Sequence, residues 1–146
     1  MKVIDGFIHE TIGFTCSCFD LLHAGHIIML QYAKARCDKL IVGLQTDPTI
    51  DRSDTKNKPI QSHEERAGVV ESLKYVDEIK LYDRESDVVD LLKEIKPDVR
   101  ILGADHEGTE FTGHDLPIKC VFNSRDHGFS TSELRKRVYL AEKERI

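Results

Sequence analysis

Short apolar runs alternate along this chain with stretches whose apolar residues recur at helical spacing, the rhythm of repeated strand-helix units and a parallel sheet. The runs predict strands at Thr11 to Ser17, Lys39 to Gln45, Glu78 to Tyr82, Val99 to Gly103 and Lys119 to Phe122. Between the first two, Ile27, Leu30, Ala33 and Cys37 share one helical face, which predicts a helix from about Gly25 to Arg36. Ser62 followed by Glu65 is a capping box and opens a second helix toward Ser72. Asp87 to Ile95, halted by Pro97, reads as a third, and Ser130 with Glu133 opens the last. The expected fold is α/β, a three-layer sandwich around a five-stranded parallel sheet, with residues 1–146 forming one domain. The first ten residues precede the first strand, and their pattern leaves open an edge strand or a dimer contact.

Composition narrows the class. Hydrophobic residues make up 40% and charged residues 32%, and no apolar run approaches the ~20 residues of a membrane helix. Met1 to Glu10 carries acids and no sustained apolar stretch, unlike a secretory leader, so a cytoplasmic location is expected. Four cysteines, with no second close Cys/His pair to complete a clip, fit reduced thiols and not a metal site. A net charge of −5 excludes a broad nucleic-acid surface, so any polyanion must be held by a local cluster. Lys56 and Lys58 form one such cluster, and Arg125, Arg135, Lys136 and Arg137 another.

Two connections are longer than a turn requires: Thr46 to Gln61, and Ala104 to Pro117. Both leave the carboxyl ends of strands, where open α/β sheets bind ligands. The densest chemistry lies at the first strand-helix junction, Cys18-Phe19-Asp20-Leu21-Leu22-His23-Ala24-Gly25-His26. Two histidines three apart at a helix start lie on one face, beside free N–H groups that favour an anion, and Gly25 permits its close approach. A histidine at such a place also serves as a cap, as does a Ser-Thr-Ser run.

That segment resembles the nucleotidyltransferases marked by His-x-Gly-His after the first strand, in particular the cytidylyltransferase branch and within it the glycerol-3-phosphate cytidylyltransferases. The likeness continues through Lys56 and Lys58, Glu65-Arg66, Tyr75-Val76-Asp77-Glu78, Gly103-Ala104-Asp105, Arg125 and Gly128-Phe129-Ser130-Thr131-Ser132. It implies a Rossmann-like sheet and direct in-line attack of a substrate phosphate on the α-phosphorus of CTP, with magnesium riding on the triphosphate and no metal-ligand set of the chain's own. Such a reaction chiefly needs positioning and charge stabilisation. By resemblance, His23, His26, Lys58 and Arg125 are catalytic. Cys18, Phe19, Gly25, Lys56, Asp105, Ser130, Thr131 and Ser132 bind nucleotide, and Asp20, Arg66, Lys74 and Asp77 bind the acceptor. The expected partners are CTP and a phosphorylated polyol, glycerol 3-phosphate first, in a homodimer with no nucleic-acid or membrane partner. Two alternatives stand beside this: an adenylyltransferase using ATP and a sugar phosphate, and a non-catalytic nucleotide-binding module.

The chain departs from the pattern at three places. Ser17-Cys18 replaces Gly-Thr, Lys74 replaces an arginine, and His106 stands near the place of a common tryptophan. A cysteine among N–H dipoles is expected to favour its thiolate.

Overall fold

A computed structural model describes residues 1–145. Two short strands open the chain, β1 (Lys2–Ile4) and β2 (Phe7–His9), followed by β3 (Ile12–Ser17), α1 (Ala24–Lys34) and β4 (Lys39–Gln45). A short α2 (Thr49–Arg52), α3 (His63–Glu71), β5 (Glu78–Tyr82) and α4 (Asp87–Ile95) come next. The chain ends with β6 (Val99–Gly103), a single 3-10 turn at Ala104–His106, β7 (Lys119–Asn123) and α5 (Thr131–Arg145). The five expected strands are present within a residue of their ends.

Strands β3 to β7 form one sheet in the order β5-β4-β3-β6-β7, and every neighbouring pair is parallel. This is the Rossmann-like α/β arrangement. From β3 the chain builds outward through β4 and β5, then returns to build through β6 and β7 on the other side. The order therefore reverses between β3 and β6, where such sheets leave a crevice at their carboxyl end. Pairing shows the opening directly: β3 matches β4 from Ile12 to Ser17 but meets β6 only at Gly13 and Phe14.

Both sheet faces are covered, which is why the strands read as apolar runs without alternation. On one face Leu30 and Ala33 of α1 and Val70 of α3 pack against Leu40, Val42, Leu44, Val99 and Ile101. On the other, Val88 and Leu92 of α4 pack against Phe14, Ile41 and Tyr82.

The first ten residues do not add an edge strand, which corrects one of the two uses left open. β1 and β2 form a separate antiparallel hairpin. Its turn is Asp5-Gly6 with φ of 52° and 81°, the left-handed pair that a two-residue hairpin turn requires. The hairpin is pinned by Lys2 to Asp98 and by the terminal amine to Asp38.

The amino end of the sheet is closed by aspartates. Asp38, Asp77 and Asp98 each stand just before a strand and accept a backbone N–H from a neighbouring one, those of Thr11, Leu40 and Ile12. Thr11, just ahead of β3, has its carbonyl accepting from Lys39 in turn. The connection after β4 is less open than expected, since α2 folds within it and Asp47 caps that turn through Thr49.

Candidate active site

The junction between β3 and α1 is strained and pinned. Phe19 and Leu21 adopt φ of 55° and 52°, a region unfavourable for side chains of their size. Asp20 sits between them, 7% exposed, and its carboxylate accepts the N–H groups of Ile60 and Gln61 at 3.0 Å each. Its carboxylate thus ties the end of the Lys56–Lys58 connection to the junction, while Asp20 also borders the cleft described below.

Helix α1 begins with a reciprocal cap made of two histidines. His23 Nδ1 accepts from Gly25 N–H at 3.0 Å, and His26 Nδ1 accepts from His23 N–H at 3.1 Å. With each Nδ1 an acceptor, a neutral ring carries its proton on Nε2. His23 Nε2–H then donates to Thr131 Oγ1 at 3.2 Å, and that hydroxyl donates to the Asp20 carbonyl. The rings lie 3.9 Å apart. Burial holds the His26 pKa down to about 4, helped by His23 and Arg125 and opposed by Asp20. Burial, and then His127, also lowers that of His23. Both rings are therefore neutral donors near pH 7. Among the described residues, His26 Nε2 has no hydrogen-bond partner. Gly25 is required between them, because a Cβ there would stand 2.9 Å from His23 Cε1 and 3.1 Å from His127 Cε1.

The start of α5 faces this pair. Ser130 Oγ caps the helix through Glu133 N–H at 3.1 Å, and Ser130, Thr131, Ser132 and Arg135 line the same cleft as His23 and His26. The cleft measures about 770 Å³, within the ordinary range for a bound small molecule. Arg125 reaches it from beyond β7, lies across Gly103 where no Cβ would fit, and pairs with Asp105 at 3.3 Å. Lys56 lines this cleft, whereas Lys58 turns to Asp47 at 2.9 Å and lines a separate hollow between the carboxyl ends of β4 and β5. Lys56 thus stands where expected, while Lys58, expected in the same cleft, is turned away from it.

Several expected roles are corrected by position. Lys74 and Asp77 lie between α3 and β5, at the amino end of the sheet and away from the cleft. Asp77 instead bonds Lys34 at 2.7 Å and caps Leu40 N–H. Arg66 is 1% exposed, and its guanidinium donates to the carbonyls of Cys18, Gln45, Thr46 and Gln61. It is a strut joining the end of β4 to two connections, with no fork left for an acceptor. Phe19 is a core side chain, 1% exposed and tilted at 50° to the His26 ring at 5.4 Å, so it meets the cleft mainly through its backbone. Cys18 borders the cleft, but burial pushes its thiol pKa up, reinforced by Asp20, against the lowering effect of Arg66. The thiolate expected there is not favoured.

Two cleft residues received no role of their own in the sequence, where Arg135 stood only as one of a basic cluster. His127 stands against Gly25, and Arg135 Nη1 lies 3.9 Å from Asp20. A third, Arg100, sits inside the fully buried run Val99–Gly103. A charge in such a strand was the signal that marked it.

A parallel α/β sheet with paired neutral histidines and a second helix start meeting at its switch point has the arrangement of a nucleotidyltransferase domain. The model of the family described as cytidylyltransferase-like matches residues 14–137, and the chain belongs to that family. Among curated proteins it is 40% identical over 131 residues to bifunctional protein HldE of Caulobacter vibrioides, covering 87% of this chain and 27% of that protein. To HldE of Wolinella succinogenes it is 42% identical over 127 residues, covering 87% and 27%. The chain therefore spans just over a quarter of the length of these relatives. Among solved structures, the lipopolysaccharide core biosynthesis protein of Thermoplasma volcanium superposes with a TM-score of 0.59 at 26% identity, covering 92% of this chain and 90% of its own. Pantoate-beta-alanine ligase of Francisella tularensis superposes with a TM-score of 0.54 over 99% of this chain and 74% of its own. At 17% identity it shares the fold alone.

Proposed function

We propose that this chain transfers a nucleoside monophosphate from a nucleoside triphosphate to a phosphorylated sugar, releasing pyrophosphate, and that the nucleotide is ATP. The observation that carries the reaction class is the capped histidine pair. Of the two neutral imidazoles at the helix start, His26 presents an unpartnered Nε2–H, which bonds an α-phosphate oxygen and follows its charge as the acceptor attacks and pyrophosphate leaves. His23 Nε2–H, bonded to Thr131, reaches the α-phosphate by exchanging that hydroxyl at the start of α5 for a phosphate oxygen. There Ser130, Thr131 and Ser132 with the free N–H groups receive the β- and γ-phosphates. Lys56 and Arg125 neutralise charge from the cleft wall, and Lys58 joins them only if it leaves Asp47. Asp105, held by Arg125, faces the base.

Magnesium, bound with the nucleotide, would supply charge neutralisation on its phosphates. Among the described residues no three His, Cys, Asp or Glu side chains group as a metal site. The ion would thus be held mainly by phosphate oxygens.

The relatives, named HldE, and the neighbour titled for lipopolysaccharide core biosynthesis support a sugar phosphate and adenylyl transfer over glycerol 3-phosphate and CTP. Among the described residues no helix is long and apolar enough to cross a membrane, and we place the reaction in the cytoplasm. A homodimer is the assembly the family resemblance implies; light scattering at the monomer mass overturns it.

The test is pyrophosphate release with ATP or CTP crossed against sugar phosphates and glycerol 3-phosphate. Release with ATP and a sugar phosphate is the expected result. Release confined to CTP with glycerol 3-phosphate would restore the other reading, and none with any pair would leave a nucleotide-binding module.

A further inference from the structure

The cleft does not end at the histidines. It wraps around the carboxyl edge of the sheet onto the face covered by α4. Phe14, which packs with α4, pairs in register with Arg100, so both project to that face. By the same register Cys16 aligns with Gly43, and Gln45 with Tyr82. The histidines stand on α1, which covers the opposite face, yet all of these cleft-lining side chains border one continuous space.

This second wing holds groups the transfer chemistry leaves idle. Arg100 is 4% exposed; one guanidinium nitrogen donates to the Thr112 carbonyl, while its Nε is buried with no partner. Arg52 faces it, with Nη2 shared between Gln45 at 3.5 Å and Glu85 at 3.3 Å and its own Nε likewise buried and unpartnered. A buried N–H with no acceptor is a standing cost, which a bound ligand removes. The wing is no simple anion site. Glu85 and Glu110 border it beside the arginines, and two carboxylates repel a phosphate. Unpartnered N–H donors interleaved with carboxylate acceptors match groups that both donate and accept, which is what neighbouring hydroxyls do.

We propose that this wing, between Arg52, Arg100, Glu85 and Glu110, reads the hydroxyls of the acceptor's body and selects a phosphorylated sugar over a shorter polyol. The inference deepens the transferase reading and rests on it for the name acceptor. The acceptor phosphate lies with the histidines, and the sugar ring extends around the sheet edge into the wing. Glycerol 3-phosphate, with two hydroxyls on a three-carbon chain, satisfies only part of this set.

The test reads the arginines directly. In 15N-labelled protein the Nε–H signals of Arg52 and Arg100 are assigned with Arg52→Lys and Arg100→Lys, and ATP, glucose 1-phosphate, mannose 1-phosphate and glycerol 3-phosphate are added separately. The expected result is that a sugar phosphate shifts both arginine signals, glycerol 3-phosphate shifts them less, and ATP alone shifts only the histidines. In pyrophosphate release, Arg52→Gln should then raise the KM for the sugar phosphate on the order of tenfold with the KM for ATP within about twofold. If ATP moves the histidines while both sugar phosphates leave the arginines unmoved, the wing is overturned and the nucleotide site stands. If the sugar phosphates move the arginines but ATP leaves the histidines unmoved, the transferase reading falls and the wing stands as a polyol site. Should a variant fail to fold, through-bond assignment of the arginine side chains in the wild-type protein supplies the same signals, and the wild-type spectra decide.

Discussion

The two ends of the sheet use the same kinds of side chain to opposite effect. At the amino end, Asp38, Asp77 and Asp98 each accept a strand N–H and each meets a cation: the terminal amine, Lys34 and Lys2. Each of these three carboxylates has its partner inside the chain. At the carboxyl end, Phe19 and Leu21 hold strained φ, and His26 Nε2, Arg52 Nε, Arg100 Nε and Arg135 Nη1 have no hydrogen-bond partner among the described residues. Closed charge networks there hold loops, while open ones await a ligand. Residue type alone does not separate the two; whether each side chain has its hydrogen bonds filled within the chain does.

The sharpest test of that division is Arg66, a closed residue placed at the open end. Removing it leaves four carbonyls, at the end of β4 and in two connections, without their donor, so Arg66→Ala should lower folding stability by about 3–5 kcal/mol in denaturant titration. A loss below about 1 kcal/mol, with acceptor KM raised instead, would return Arg66 to the site. His26→Ala should act the other way. Turnover should fall on the order of a hundredfold while ATP affinity changes only a few-fold, because the bond strengthens in the transition state. Turnover within a few-fold of wild type would make the histidine a cap and nothing more.

The pH dependence of His26 sharpens the same point. The unfolded chain takes up this proton near pH 6.5 and the folded chain only near pH 4, so stability falls as pH drops from about 6.5 toward 4. The unfolded state binds more protons across that window, which gives the sign. His26→Gln should flatten the slope there; an unchanged slope, or an imidazole titrating at or above pH 6.5 by NMR, would remove the neutral donor. At the closed end, Asp77→Ala should cost about 1 kcal/mol and leave kcat/KM within about twofold. A large loss of activity in folded protein would bring the amino end back into function.

Much of this was legible in advance, and the misses share a cause. Apolar runs gave the sheet because both its faces are covered, and capping residues gave the helix starts because free N–H groups must be met. Lys74 and Asp77 were misplaced by resemblance, although their position just before β5 already put them at the wrong end. Arg66 and Asp20 read as ligand contacts because nothing local shows a side chain filling its bonds with backbone from loops 40 residues away. The partners of Arg66 and the vacant Nε of Arg100 exist only in three dimensions.

Cys18 draws the finest line between the two ends, because it lies at the open one and yet is held. Its sulfur accepts from Arg66 Nη1 at 3.4 Å, a contact that favours the thiolate, but burial acts against it more strongly and Asp20 adds to burial. The net direction is upward, toward the thiol. At pH 7 the nucleophilic form is thus scarcer than in an exposed cysteine, and alkylation should run slower than on the unfolded chain. Nucleotide adds little further protection to a thiol already hidden, so labelling rates with and without ATP should agree within about twofold. Cys18→Thr should keep activity, since the Arg66 strut still has its carbonyls. Peptide mapping after timed alkylation measures this. Fast labelling of Cys18 that ATP and magnesium suppress would show an activated thiol in the phosphate site, and would move Cys18 and the Arg66 beside it from the closed set to the open one.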